Sequence, residues 1–190
     1  MLMRIKSITA ILISLIIGAS CTSTADNSLT ADGFGPVRLG SVIKSLPASV
    51  PNLYDRIEAE KVEEFDYEAI EYNLLYQGER IARLIENEGK VHAIEIVSDK
   101  LQTSDGFGLN KTAAEILSAG GAAYCDNYGF GGLLYKGILF FGMELTASGQ
   151  KKADDAYFYG TDQVFTESDF KTGTRPSKII LANWYADSTE

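Results

Sequence analysis

The sequence predicts an α+β fold of two related halves, each a short helix packed on an antiparallel β-meander, and three observations predict it. The tetrapeptide Asp32-Gly33-Phe34-Gly35 returns as Asp105-Gly106-Phe107-Gly108. Each copy precedes a short stretch of helical character. Behind each stretch come runs of residues at period two, divided by short glycine turns.

The N-terminus carries its own signal. Arg4 and Lys6 precede an apolar run over residues 8–17, broken only by Thr9 and Ser14, and the small residues Gly18, Ala19 and Ser20 follow. This is the pattern of a signal peptide over residues 1–20. The run is shorter than the roughly 20 residues of a membrane-spanning helix, so an uncleaved transmembrane anchor is the lesser alternative. Residues 21–29 are small and polar enough to serve as a tether.

In the first half, residues 33–39 are expected to be extended, with Pro36 marking an edge. Ser41 is expected to cap a short helix ending at Leu46, which Pro47 and Pro51 stop. Residues 56–62, 70–76, 80–86 and 91–98 then read as strands joined by turns at Gln77-Gly78-Glu79 and Asn87-Glu88-Gly89-Lys90. In the last of these strands Ile94 and Ile96 share a face with His92, and Val91, Ala93 and Val97 share the other, as in a strand covered on both sides.

The second half repeats the order. Thr112-Ala113-Ala114-Glu115 has the spacing of a capping box, and Gly120-Gly121 ends the helix. Strands are predicted at residues 122–126, 133–135 and 138–145, with a turn through Gly129-Phe130-Gly131-Gly132. Residues 147–155 read as a polar loop, Tyr157-Phe158-Tyr159 as a short strand or aromatic plug, and residues 162–176 as irregular chain. A last strand over residues 178–185 puts Ile180, Ala182 and Trp184 on one face. A single duplicated domain over residues 30–190 results, with halves of about 30–104 and 105–190, in which Phe34 and Phe107 are equivalent core anchors.

Composition narrows the partners. From Cys21 onward the chain keeps 15 basic residues against 26 acidic ones, a net charge of −11. Phosphate backbones and anionic lipid head groups repel such a chain, so nucleic acid is excluded as a partner. One histidine and two cysteines cannot supply a zinc tetrad, and no Asp-x-Asp-x-Asp-Gly run offers a calcium loop. No metal or other cofactor is expected.

Candidate chemistry is correspondingly thin. Glu68, Glu71, Glu95 and Glu144 fall on predicted strands and are the carboxylates that could pair for glycoside hydrolysis. His92 with Asp99 and a serine could be written as a triad, but no Gly-x-Ser-x-Gly elbow accompanies them. Tyr128, Phe130, Tyr157, Phe158 and Tyr159 lie in or beside irregular segments, where aromatic residues either form a binding surface or cover a thin core. Cys125, among Ala122, Ala123 and Tyr124, reads as a small buried hydrophobe.

Cys21, where the small residues end the apolar run, resembles the lipobox of bacterial lipoproteins, with Gly18 where that pattern prefers Leu. The resemblance implies acylation at Cys21 and a membrane contact through the lipid. Ordinary secretion with Cys21 a plain thiol is the alternative. Thr22 lacks the aspartate that marks inner-membrane retention in some bacteria, which implies the outer membrane. The duplicated unit of residues 30–186 resembles the helix-on-sheet modules of beta-lactamase-inhibitor-like proteins and of the small outer-membrane lipoproteins of barrel assembly. That resemblance implies a protein-binding or scaffolding role more than an enzyme. The tether, the duplication and the missing catalytic constellation lead to the expectation of a noncatalytic protein-interaction or ligand-binding module, with another envelope protein as a candidate partner. An envelope hydrolase using paired carboxylates is the competing expectation.

Overall fold

The structure, a computed structural model, describes residues 27–64, 67–126, 129–159 and 163–182. Residues 1–26 with Cys21, and also Tyr128 and Trp184, lie outside the described residues.

The chain opens on a small hairpin, β1 (Gly33–Phe34) and β2 (Val37–Arg38). Gly35 and Pro36 make its turn, not an edge strand, so the missing Pro36 N–H leaves no gap in a ladder. A meander follows: β3 (Arg56–Glu64), β4 (Tyr67–Tyr76), β5 (Glu79–Asn87) and β6 (Lys90–Ile96). Gln77-Gly78 and Glu88-Gly89 have positive φ at both positions, 54° and 82° and then 53° and 77°. That is the type I′ geometry that matches strand twist.

The second half has α1 (Ala113–Ser118), β7 (Ala122–Asp126), β8 (Gly129–Tyr135), β9 (Ile138–Phe141), α2 (Ala147–Tyr159) and β10 (Lys178–Ala182). The capping box at α1 is present: Thr112 Oγ1 accepts from the Glu115 amide at 3.2 Å, and the Glu115 carboxylate accepts from the Thr112 amide at 2.8 Å.

Strands β3 to β10 form one antiparallel sheet in the order β3-β4-β5-β6-β10-β9-β8-β7. The α+β class is therefore as the sequence predicts, and the order has a symmetry of its own. Each strand of the first meander lies as far from the sheet centre as the strand four places later in the chain. At the centre β10 pairs with both β6 and β9, setting Ile179 opposite Ile96 on one side and Phe140 on the other. The main core lies on that face, with Phe34, Leu84, Ile94, Ile116, Phe140 and Leu181 fully buried. Each such side chain contributes about 1.5–3 kcal/mol by leaving water.

Several local expectations are corrected. Ser41 caps nothing: residues 43–45 make one 3₁₀ turn behind Val42, without a side-chain cap. The Ser41 carbonyl instead accepts from the Val91 amide, because residues 40–43 run beside the start of β6. In β6 a bulge inserts His92 between Val91, opposite Glu86, and Ala93, opposite Ile85. Val91 consequently joins Ile94 and Ile96 in the core and His92 is exposed. Residues 129–132, expected as a turn, belong to β8, where Gly131 and Gly132 pass so close to Tyr124 and the Phe140 carbonyl that a Cβ would collide. The strand at 138 stops at Phe141. Residues 147–159, expected as loop and plug, are one helix, α2. Its buried stripe is Gly149, Ala153 and Ala156, too small to register as an apolar periodicity.

Candidate binding surface

The repeated tetrapeptide shapes backbone. In both copies a threonine two residues before the aspartate donates to it, Thr30 to Asp32 and Thr103 to Asp105, each at 2.5 Å. The glycine amide returns to the same threonine carbonyl, Gly33 to Thr30 and Gly106 to Thr103. Phe34 is fully buried, and Phe107 is partly buried against Tyr135 at 4.6 Å between ring centres. Asp105 also accepts from Tyr135 Oη at 2.8 Å and Lys136 Nζ at 2.6 Å. Lys136 foremost, then Thr103 and Tyr135, hold its carboxyl well below the usual range. The two threonines escape a search that begins at the aspartate, although their spacing repeats in the sequence.

The candidate carboxylates divide. Arg83 Nη1 donates to both oxygens of Glu71 at 2.9 Å, and its Nη2 donates to Glu95 at 3.2 Å. Lys178 adds a bond to Glu95 at 2.9 Å. Burial works to raise the Glu95 pKa, but the Lys178 ammonium and the Arg83 guanidinium outweigh it and keep the carboxyl low. A general acid needs the opposite shift. Glu144 lies beyond β9 on the surface, paired with Lys171 at 2.7 Å, and the Glu68 side chain lies outside the described ones. His92 and Asp99 are both exposed, His92 at the β6 bulge and Asp99 in the turn after that strand. Cys125 is half-buried. Among the described residues no three His, Cys, Asp or Glu side chains gather as a metal site, and no helix is long and apolar enough to cross a membrane.

These charges lie on the sheet face away from the main core. One transverse row crosses all eight strands and changes character halfway. Glu58, Asn73, Arg83 and Glu95 occupy it on β3 to β6, and Ile180, Leu139, Leu134 and Ala122 on β10 to β7. Ala93, Leu139 and Ala182 form a small cluster there with half-buried Ile85, Tyr124, Leu134 and Ile180, and no helix residue joins it.

The aromatic candidates meet at the end of α2. Phe130 packs inward on Phe165 and Phe170, at 4.7 and 5.8 Å between ring centres. Tyr157, Phe158 and Tyr159 face outward, 51 %, 70 % and 75 % exposed. With Leu145 and Ala153, three of the five candidates (Phe130, Tyr157 and Phe158) line a shallow cavity of about 350 Å³. Tyr159 continues the exposed turn.

No protein-family model matches this chain, and no curated protein matches it. Among solved structures it is similar to the uncharacterized protein yfeY from Escherichia coli, at 11% identity and a TM-score of 0.51, over 82% of this chain and 99% of that one. The likeness is to a bacterial protein, and it is one of fold.

Proposed function

We propose that the protein is a noncatalytic, lipid-anchored module of the bacterial cell envelope, held to the outer membrane through Cys21, that binds another envelope protein. The observation that carries this reading is the aromatic turn of α2. Three consecutive large side chains stand in water beside a cavity floored by Phe130, where a buried position would serve folding better. The sheet order, symmetric about β6 and β10, supports the resemblance to beta-lactamase-inhibitor-like modules and to lipoproteins of barrel assembly. Against hydrolysis by paired carboxylates stands Arg83, which pairs with both Glu71 and Glu95.

Two measurements test it. Fatty-acid labelling of the full chain should mark the wild type and vanish in Cys21→Ala; equal labelling removes the anchor. A photoreactive phenylalanine analogue at position 158 should cross-link a discrete envelope protein in cells. The Tyr157→Ser/Phe158→Ser variant should keep its thermal midpoint and lose copurification of that protein. Copurification unchanged in this variant would sink the aromatic surface as the contact.

A further inference from the structure

The two edges of the sheet are unlike. At one edge β7 has five residues and α2 beside it. At the other, β3 runs nine residues, and among the described residues it pairs with β4 alone. A strand of that length at the edge of a sheet is a template for another strand.

Its two faces differ. Toward the main core, a cavity of about 410 Å³ opens beside the strand, with Ile43, Leu46, Ala48, Ile57, Ala59 and Tyr72 among its lining. Ile70, on the same face of β4 as Tyr72, is 48 % exposed. On the opposite face Glu58 and Glu60 are both exposed. Glu58 is met by Arg56 at 2.7 Å in a pair more than half exposed, and such pairs are weak because water screens them. Glu60 accepts one bond from Asn73.

We infer that the β3 edge takes an extended peptide segment as a ninth, antiparallel strand, with apolar and Lys or Arg residues in alternation. Successive side chains of a strand point to opposite faces. One set enters the Ile57 and Ala59 groove while the other set meets Glu58 and Glu60. Self-pairing in the register centred on Ala59 is disfavoured, because it would set Glu58 of each copy against Glu60 of the other. The inference rests on the binding role proposed above and gives it a second contact, away from α2.

The test is fluorescence anisotropy with the purified full chain and labelled nine-residue peptides of alternating Lys and Val. Binding should weaken by at least about ten-fold for the Glu and Val counterpart. All lysine amides of a strand face one edge and all valine amides the other. N-methylation of one set should therefore abolish binding, and N-methylation of the other should leave it intact. Glu58→Lys/Glu60→Lys changes only exposed side chains and should reverse the preference between the two peptides. Equal binding of both N-methylated peptides, an unreversed preference, or self-association with no peptide bound would each overturn the edge. Tyr157→Ser/Phe158→Ser should bind the peptide normally. Loss of peptide binding with cross-links from position 158 retained removes the edge alone, and the reverse pattern removes the aromatic surface alone.

Discussion

Asp169 is committed on every side to neighbours in the fold. It is buried, and its carboxylate accepts from Lys152 Nζ at 2.6 Å, the Thr166 amide at 2.8 Å, Thr166 Oγ1 at 3.0 Å and Ser148 Oγ at 3.2 Å. Burial pushes its pKa up, yet the Lys152 and Thr166 bonds prevail and hold it at about 2. A carboxyl lower in the folded than in the unfolded chain stabilises the fold above its unfolded value, about 3.9, and the stability is lost as pH falls through the folded value. Asp169→Asn should therefore cost roughly 1–3 kcal/mol at neutral pH. Denaturant titrations should show the wild type losing that difference as pH falls below 4. Arg83 makes a related prediction. In Arg83→Gln the Glu95 carboxyl keeps only Lys178, so NMR titration should find its pKa raised, and the share of stability that Glu95 loses on acidification should shrink. An unchanged Glu95 titration would show that Lys178 alone sets it.

At the scale of elements, the meander was legible because its turns are two-residue loops ending in glycine and Ile70, Tyr72, Leu74 and Tyr76 fall at period two in β4. Helix α1 was legible through its capping box. Helix α2 was not, and Gly149 shows why. The glycine lies against the Asp169 backbone, where a Cβ would collide with the carbonyl oxygen. The helix packs by close approach of small residues, and its visible pattern is polar: Gln150 with Asp154 and Lys151 with Asp155, bonded one turn apart. Among the candidate site residues, the aromatic segment was legible as a cluster, while its place on a helix depended on that hidden stripe. The His92 bulge and the glycines of β8 escaped for a different reason, since both are set by neighbouring strands. Gly149→Ala separates propensity from packing. Helix propensity alone would gain about 1 kcal/mol, whereas overpacking costs about 1–3 kcal/mol. Thermal melts should show net destabilisation, and a stabilised variant would mean that α2 can lift off Asp169.

For the whole molecule, the sheet order makes the end of the chain its centre. Strand β10, the last described, is the one strand that pairs with both meanders, through β6 and through β9. The halves therefore cannot complete one continuous sheet until residues 178–182 are in place, although each contains a self-sufficient run of hairpins. Two outcomes are physically distinct. If the hairpins held their own cores, weakening β10 would let the halves melt separately. The single main core argues otherwise, because residues of both meanders, Leu84 and Ile94 with Leu133 and Phe140, belong to one buried cluster that includes Leu181. Leu181→Ala should cost about 2–5 kcal/mol, the range for a fully buried leucine. Native-state hydrogen exchange should then show protection falling by the same amount in β4 and in β8, strands that never touch. Protection lost in one meander with the other unchanged would mean that the symmetric sheet is two folding units and that β10 only joins them.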